Sequence, residues 1–368
     1  MIKIYNAAII GLGRMGQFFE YDTRARKKPC THAGAYFYLK DKIKLVAVCD
    51  LREDRLKIFS ENWSFNNLYT DYKKMLKNEK LDIVSICTHA PNHKELVIEA
   101  AKSGVKAIFC EKPISTNLKD AQEMIEICKK NNVILYINHT RRFDTQWRKA
   151  KEIIDKGGIG EMNVIDSHSS AGLLNGGVHL FDLLGFYNGE VDSVYGKIIK
   201  DHDTDPSGIG LLKFKNRSYA FVDIGVRDYV LFQMNMVGSK GNLKIGGMIR
   251  GDKTFELGVS EQSPTQSGVM ELKKGEFPEI VGGEMPLVNA INEIIESIEK
   301  GKKSVSSGED GLAALEIAMA FYESDFLGKS IKLPLHNVDR VVIPRETSYT
   351  KEGKLPLSYV KDNILPLN

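Results

Sequence analysis

The sequence predicts an α/β chain in two parts. A doubly wound parallel sheet comes first, and an α+β domain with a large, mostly antiparallel open sheet follows. Three observations predict it. Short apolar runs alternate with helical patterns up to Asn138. Beyond that residue, strand-like runs follow one another with hardly a helix between them. The first apolar run also leads directly into Gly11-Leu12-Gly13-Arg14-Met15-Gly16. Continuous apolar runs suit strands covered on both faces, as parallel strands with crossover helices are.

In the first part, strands are expected at 7–10, 45–49, 83–87, 107–110 and 133–137. Helical patterns fall at 15–21, 52–60, 93–103 and 118–131, and Gly104 is placed to cap the third of these. A helix over 145–156 stops at Gly157-Gly158. Strands then follow at 162–167, 194–199, 210–214, 218–224, 231–237 and 241–245, interrupted by a helix over 179–187. Gly238-Ser239-Lys240-Gly241 reads as a hairpin turn. Residues 248–283, rich in Gly, Ser and charge, read as irregular surface, with helices after them at 287–300 and 308–327. The expected division is 1–138, 139–336, and a tail at 337–368 that wraps the surface or a partner chain.

Composition narrows the function. The 368 residues are 42% apolar and 27% charged, with a net charge of +3, and the signs are interleaved. Such a surface gives no electrostatic footprint for nucleic acid. No run approaches the ~18 apolar residues of a membrane span, and the first residues carry no signal-peptide core. A cytoplasmic protein is expected. Cys30, Cys49, Cys87, Cys110 and Cys128 lack the spacing of zinc or redox pairs, so they read as reduced thiols, mostly buried.

The glycine motif carries the chemistry. Its first glycine makes a tight turn, its second lets a pyrophosphate approach the backbone, and its third lets helix and strand pack closely. Strand before and helix after are the required context. A dinucleotide site follows, on a Rossmann domain. Asp50, ending the second strand run, is placed to accept from ribose hydroxyls and to repel a 2′-phosphate, which favours NAD over NADP. Arg52 softens that preference. Asp50 lies farther from the glycines than the usual ~20 residues. The excess is read as an insertion at 24–38, a loop over the adenosine end or an interface element.

Thr88-His89-Ala90-Pro91-Asn92-His93 follows the third strand run, at the edge where ligands sit in open α/β sheets. His89 and His93 invite a metal reading, but no third ligand is evident and Pro91 argues against one helix carrying both. Cofactor contacts from Thr88, His89, Asn92 and His93 are expected instead, and no metal. Glu111-Lys112-Pro113 ends the fourth run and puts an amine at the same edge. A cis bond before Pro113 is left open. Asn138 and the pair Arg141-Arg142 follow the fifth run. Arg142 could reach cofactor or substrate, or form a structural ion pair.

These motifs, with Gly176-Gly177-Val178-His179-Leu180-Phe181-Asp182 and Gly308-Glu309-Asp310-Gly311 later on, resemble the glucose–fructose oxidoreductase / inositol dehydrogenase / rhizopine-catabolism (Gfo/Idh/MocA) family over nearly the whole chain. The resemblance implies a Rossmann domain plus an α/β domain whose open sheet forms homodimers or homotetramers. It implies hydride transfer between NAD(P) and a hydroxyl carbon of a sugar, cyclitol or nucleotide sugar. It makes Lys112 and His179 catalytic and Glu111 an orienting group. Asn175, Arg142 and Asp182 become substrate contacts, with Asp182 also orienting His179, and His168 and Asn163 are weaker pocket candidates. One position departs from the pattern: many members carry aspartate where this chain has Asn175, and asparagine cannot act as a base. Two alternatives stay open, an inactive NAD-binding sensor or assembly subunit and an enzyme that retains and recycles bound NAD.

Overall fold

The computed structural model describes residues 3–21, 27–200, 205–226, 229–247, 254–277, 285–336 and 338–341. The described chain falls into two compact units, residues 3–144 with 285–312 and residues 145–277 with 313–341.

The first unit runs β1 (Tyr5–Ile10), α1 (His32–Tyr38), β2 (Ile43–Cys49), α2 (Glu53–Trp63), β3 (Leu68–Tyr69), α3 (Tyr72–Asn78), β4 (Ile83–Ile86), α4 (His93–Lys102), β5 (Ala107–Cys110), α5 (Leu118–Lys130) and β6 (Ile134–Ile137). Its six strands are parallel and ordered β3-β2-β1-β4-β5-β6. Strand order reverses between β1 and β4, and ligands of such sheets bind there, outside the carboxyl ends of the strands. β4 and β5 are buried at every position, as their unbroken apolar runs require.

The helix after the glycine motif differs from the expected 15–21 segment. Residues 13–19 form a widened turn, in which the amides of Phe18 and Phe19 donate to the carbonyls of Gly13 and Arg14. A short 3-10 turn follows at Phe18–Glu20. The carbonyls of Met15 and Gly16 accept from His32 and Ala33, at 3.0 and 3.2 Å. In an uninterrupted helix those carbonyls would take the amides of residues 19 and 20. The helix is therefore spliced, and α1 is its continuation, capped by the Thr31 hydroxyl. The buried Glu20 carboxylate secures the join by accepting from the amides of Cys30 and Thr31 and from the Thr31 hydroxyl. With His32 standing where residue 19 would, the offset is 13 residues, and Asp50 then follows Gly16 by 21. The inserted length lies at 19–31 rather than 24–38, and residues 32–38 are the Rossmann helix itself.

The rest of the chain forms α6 (Thr145–Asp155), β7 (Met162–Ser169), α7 (Val178–Asn188), β8 (Val191–Lys200), β9 (Ser207–Phe214), β10 (Tyr219–Ile224), β11 (Phe232–Gly238), β12 (Gly241–Gly247), β13 (Thr254–Gln262), β14 (Met270–Gly275), α8 (Pro286–Lys300), α9 (Gly308–Leu327) and β15 (Ile331–Lys332). Nine strands make one sheet, ordered β14-β13-β12-β11-β7-β10-β9-β8-β15. Every pairing in it is antiparallel except that of β7 with β10. The hairpin expected at 238–241 joins β11 to β12. Strands β13 and β14 correct the reading of 248–283 as irregular. Phe255, Leu257 and Val259 alternate at the strand period, a signal masked by intervening glycine and charge. Residues 248–253, 278–283 and the tail from 342 on lie outside the described residues, as does Asn337.

One face of this sheet is covered and the other is open. Along β10, Ala220, Val222 and Ile224 are buried while Tyr219 and Phe221 are exposed, Phe221 by 51%. Their register partners Val164 on β7 and Leu211 on β9 are exposed as well. Helix α8 corrects the expected domain assignment. Its stripe Leu287, Val288, Ile291, Ile294 and Ile295 joins the core built from Tyr5, Ala7, Ile9, Tyr36 and Ile43, so it belongs to the first unit. No described helix is long and apolar enough to cross a membrane.

Candidate active site

The three glycines behave differently when tested for room. Gly11 has φ +97°, and a Cβ there would lie 2.8 Å from the Cys87 carbonyl carbon. A Cβ on Gly16 would lie 2.2 Å from the Gly11 carbonyl oxygen. These two positions close strand and turn on each other. A Cβ on Gly13 would meet only the Arg55 guanidinium, at 3.9 Å. The backbone is therefore open at the one glycine that a pyrophosphate must approach. Among the described residues, no backbone carbonyl accepts from the amides of Gly13, Met15 or Gly16. Thr88 Oγ1, beside Gly11, is buried with no hydrogen-bond partner. A cradle with unused amides and an orphaned hydroxyl fits a dinucleotide. Arg14 is exposed, its guanidinium 4.4 Å from the centroid of the Phe19 ring.

Asp50 is buried at the end of β2 and accepts from the Leu12 amide at 2.7 Å and from the Arg52 amide at 2.9 Å. Arg55 Nη1 lies 3.4 Å from the same carboxylate. The acidic residue thus braces the glycine turn. Arg52 is turned to Asp54. Gln17, fully buried, donates to the carbonyls of Leu12 and Arg55 and ties the turn to α2.

After β4, His89 and Asn92 are exposed, whereas His93 is fully buried. Its Nε2 lies 3.0 Å from the Thr88 carbonyl oxygen and its Nδ1 3.0 Å from that of Pro113. The ring bridges the loops that follow β4 and β5. Burial holds its pKa below the ordinary imidazole value, against the pull of those carbonyls and of Glu111. Lys112 is half-buried just beyond β5, before a cis bond to Pro113.

Glu111 is buried at the same strand end. Its Oε1 accepts from Asn138 Nδ2 at 2.6 Å and faces His32 Nε2 at 3.1 Å. Burial would raise its pKa, but the bonds to His32 and Asn138 and the charge of Lys112 outweigh it and hold the carboxyl below its ordinary value. Asn138 Oδ1 is buried without a partner, a second orphaned acceptor in this unit. Arg142 is anchored inside its own unit, donating to the Val305 carbonyl at 2.8 Å and pairing with Asp310 at 3.1 Å.

In the second unit, a π-type turn at Leu173–Gly177 leads into α7. Asp205, fully buried, holds that turn by accepting from the amides of Leu174 and Asn175, at 2.8 and 3.0 Å. A Cβ on Gly172 would run into the Asp205 carboxyl at 2.2 Å, so a glycine is needed where the carboxylate closes. Asn175 and His179 are half-buried, and Asp182, one turn after His179, is buried. His168 lies on the open face of the sheet, between Asp223 at 2.6 Å and Asp166 at 3.3 Å. That is the face opposite to Ile224, against which Gly177 at the start of α7 packs. Asn163 is exposed.

The model of the oxidoreductase family with an NAD-binding Rossmann fold matches residues 5–139, and that of the family's C-terminal alpha/beta domain matches residues 138–333. The chain belongs to the Gfo/Idh/MocA oxidoreductase family. Its fold is the one that the motifs implied, and it is an NAD-dependent oxidoreductase. Among Gfo/Idh/MocA relatives, the myo-inositol 2-dehydrogenase of Thermotoga maritima is 29% identical over 349 residues, covering 88% of this chain and 97% of that protein. The D-apiose dehydrogenase of Paraburkholderia graminis is 25% identical, covering 90% of each chain. Among solved structures, the WlbA dehydrogenase of Bordetella pertussis, in complex with NADH and UDP-GlcNAcA, superposes with a TM-score of 0.73 at 20% identity, covering 90% of this chain and all (100%) of that one. At that identity it shows the fold alone.

His32, Ser85, Tyr36, Gln17, Arg55 and Asp205 were not singled out from sequence. Only Thr31, a helix cap followed by an apolar stretch, hinted that His32 stands at a helix start.

Proposed function

We propose that this oxidoreductase transfers hydride between NAD and a carbinol or carbonyl carbon of a sugar, cyclitol or nucleotide-linked sugar. The carrying observation is Lys112, half-buried after a charged, buried Glu111 at the carboxyl end of β5, on the edge that also holds the open Gly13 cradle. The names of the Thermotoga and Paraburkholderia relatives, an inositol and an apiose dehydrogenase, support the substrate class.

In this reading Gly13, the amides of Met15 and Gly16, and Thr88 hold the pyrophosphate, and Asp50 holds the adenosine ribose. NAD, when bound, supplies the hydride acceptor or donor. Lys112 donates a hydrogen bond to the reacting oxygen and stabilises its developing charge. His179 takes the hydroxyl proton and returns it in reverse. Asn175 orients a neighbouring hydroxyl without exchanging a proton, and Asp182 holds the imidazole. The open sheet face around Phe221, Leu211 and Val164 pairs with further copies of the chain as a dimer or tetramer. The working location is the cytoplasm.

A screen of cyclitols, sugars and nucleotide sugars, read by NADH absorbance, tests the substrate class. On the best substrate, His179→Ala should lower kcat by about a hundredfold or more, with NADH affinity within about threefold of the wild type. Turnover that survives the substitution would remove His179 from proton transfer. Tight NADH binding with no hydride exchange on any substrate would favour a sensor instead.

A further inference from the structure

Four side chains, two from α1, one from β4 and one from the residue after β5, meet inside the first unit. Tyr36 Oη lies 2.7 Å from Ser85 Oγ, Ser85 Oγ lies 2.8 Å from His32 Nδ1, and His32 Nε2 lies 3.1 Å from Glu111 Oε1. His32 has no exposed surface, and neither has Ser85. The ring packs against Phe109 of β5, centroids 4.7 Å apart and planes tilted by 46°. An ionised carboxylate can only accept, so Nε2 carries a hydrogen toward Glu111, and the Ser85 hydroxyl satisfies Nδ1. With the ring neutral, the one Ser85 hydrogen goes to Nδ1, which leaves Tyr36 to donate to the Ser85 oxygen. The chain of donors points one way and ends on the residue before Lys112.

We propose that His32 is a positioning residue for the reaction: its Nε2–H donates to the Glu111 carboxylate and aims it, and Glu111 keeps the segment carrying Lys112 in working geometry. The proposal rests on the reading of Lys112 given above. The splice in the Rossmann helix places His32 there, with its amide donating to the Met15 carbonyl and that of Ala33 to the Gly16 carbonyl.

The other titratable groups acting on or around Glu111 are Lys112, His93, Cys87 and Cys110. Burial pushes both thiols up, well away from ionisation at neutral pH, and pushes His93 down. That leaves Lys112, His32 and the Asn138 amide to offset the burial of the carboxylate. Removing His32 removes that hydrogen bond, and the proton affinity of Glu111 rises.

The test compares His32→Ala, His32→Gln and Ser85→Ala in the full chain, with the best polyol from the substrate screen. In His32→Ala, the proton affinity of Glu111 should rise about tenfold, one pH unit. Carboxyl ¹³C NMR of the apo protein reads this directly, with the resonance assigned by Glu111→Gln. The acid limb of kcat, read in the reductive direction on the corresponding carbonyl product, where protonated His179 is the active form, should move up with it. Then kcat falls about tenfold only at pH values below the wild-type Glu111 titration and by no more than about twofold at pH 5.5, while kcat at pH 8 and KM for the nicotinamide cofactor stay within about twofold. His32→Gln, whose amide can donate from a similar place, should restore most of the limb. Ser85→Ala, which frees the ring to change tautomer, should show a smaller shift in the same direction and serves if His32→Ala does not fold. A structural role alone would lower the melting temperature and leave the limb in place. An acid limb and a Glu111 titration that coincide with the wild type overturn the proposal. Lys112→Ala separates the two claims: if it keeps full turnover, the reading of Lys112 fails; if it loses turnover while the His32 variants titrate normally, only the positioning role fails.

Discussion

Replacing Asp205 by asparagine should cripple turnover while sparing the cofactor. The buried Asp205 carboxylate accepts two backbone amides, Leu174 at 2.8 Å and Asn175 at 3.0 Å. Asparagine offers one oxygen in place of two, so one amide keeps a neutral partner and the other faces an NH₂ group. A hydrogen bond to a charged group contributes about 1.5–3 kcal/mol, and a buried orphaned amide costs about 1–3 kcal/mol. A combined loss of about 3 kcal/mol is smaller than the ~5–15 kcal/mol that holds a domain together. The unit therefore stays folded, and the cost falls on the turn at Leu173–Gly177 that presents Asn175 and leads into His179. If that turn must be intact for each turnover, about 3 kcal/mol is a loss of roughly two powers of ten in kcat. Steady-state kinetics with a polyol substrate and NADH fluorescence titration read the two quantities separately. The expected result is kcat lower by about a hundredfold, with the NADH dissociation constant within about twofold. A variant with kcat within about threefold of the wild type, and the same melting temperature, would refute the argument, since neither the turn nor the fold would then depend on the carboxylate.

The glycine turn predicts opposite outcomes for neighbouring substitutions. Gly13→Ala meets only the tip of Arg55, so the melting temperature should hold while NADH affinity falls about tenfold or more, ~1.4 kcal/mol; unchanged affinity would move the pyrophosphate elsewhere. Gly16→Ala drives a Cβ into the Gly11 carbonyl, so it should lose about 1–3 kcal/mol of stability in urea melts as well as cofactor binding. Phe221→Asp places a charge on the open sheet face and should convert a wild-type dimer or tetramer to monomer by light scattering with the fold unchanged; a wild type that is already monomeric would exclude that interface.

The strand ends and the glycine turn were legible because each leaves a local trace. β4 and β5 are uninterrupted apolar runs, and the turn is spelled by three glycines. What escaped the sequence depends on contacts between distant residues. The pair His32–Glu111 spans 79 positions and joins the start of α1 to the residue after β5, across the strand β4 that carries Ser85. Helix α8 was legible as a helix, but its apolar stripe does not say which of two cores it enters. Asp205 lies next to residues 201–204, with no periodic pattern around it to mark a carboxylate that closes on a turn thirty residues earlier. The strands β13 and β14 were lost for a different reason: the exposed edge strand β14 and its half-buried neighbour β13 carry the charge and glycine that otherwise signal a loop.

The splice after Gly16 shows that the dinucleotide fingerprint is kept in space rather than along the chain. A scan that measures the interval from the last glycine to the acidic residue counts 34 positions here and rejects the match. The carbonyls of Met15 and Gly16 nevertheless receive the amides that a continuous helix would give them. Length can thus be added to this fold one turn beyond its phosphate cradle, provided the returning strand of chain presents two amides in register and a capping hydroxyl. The first helix of such a domain is a tolerated point of insertion, and Asp50 still closes on the Leu12 amide because that distance is set through hydrogen bonds rather than along the chain.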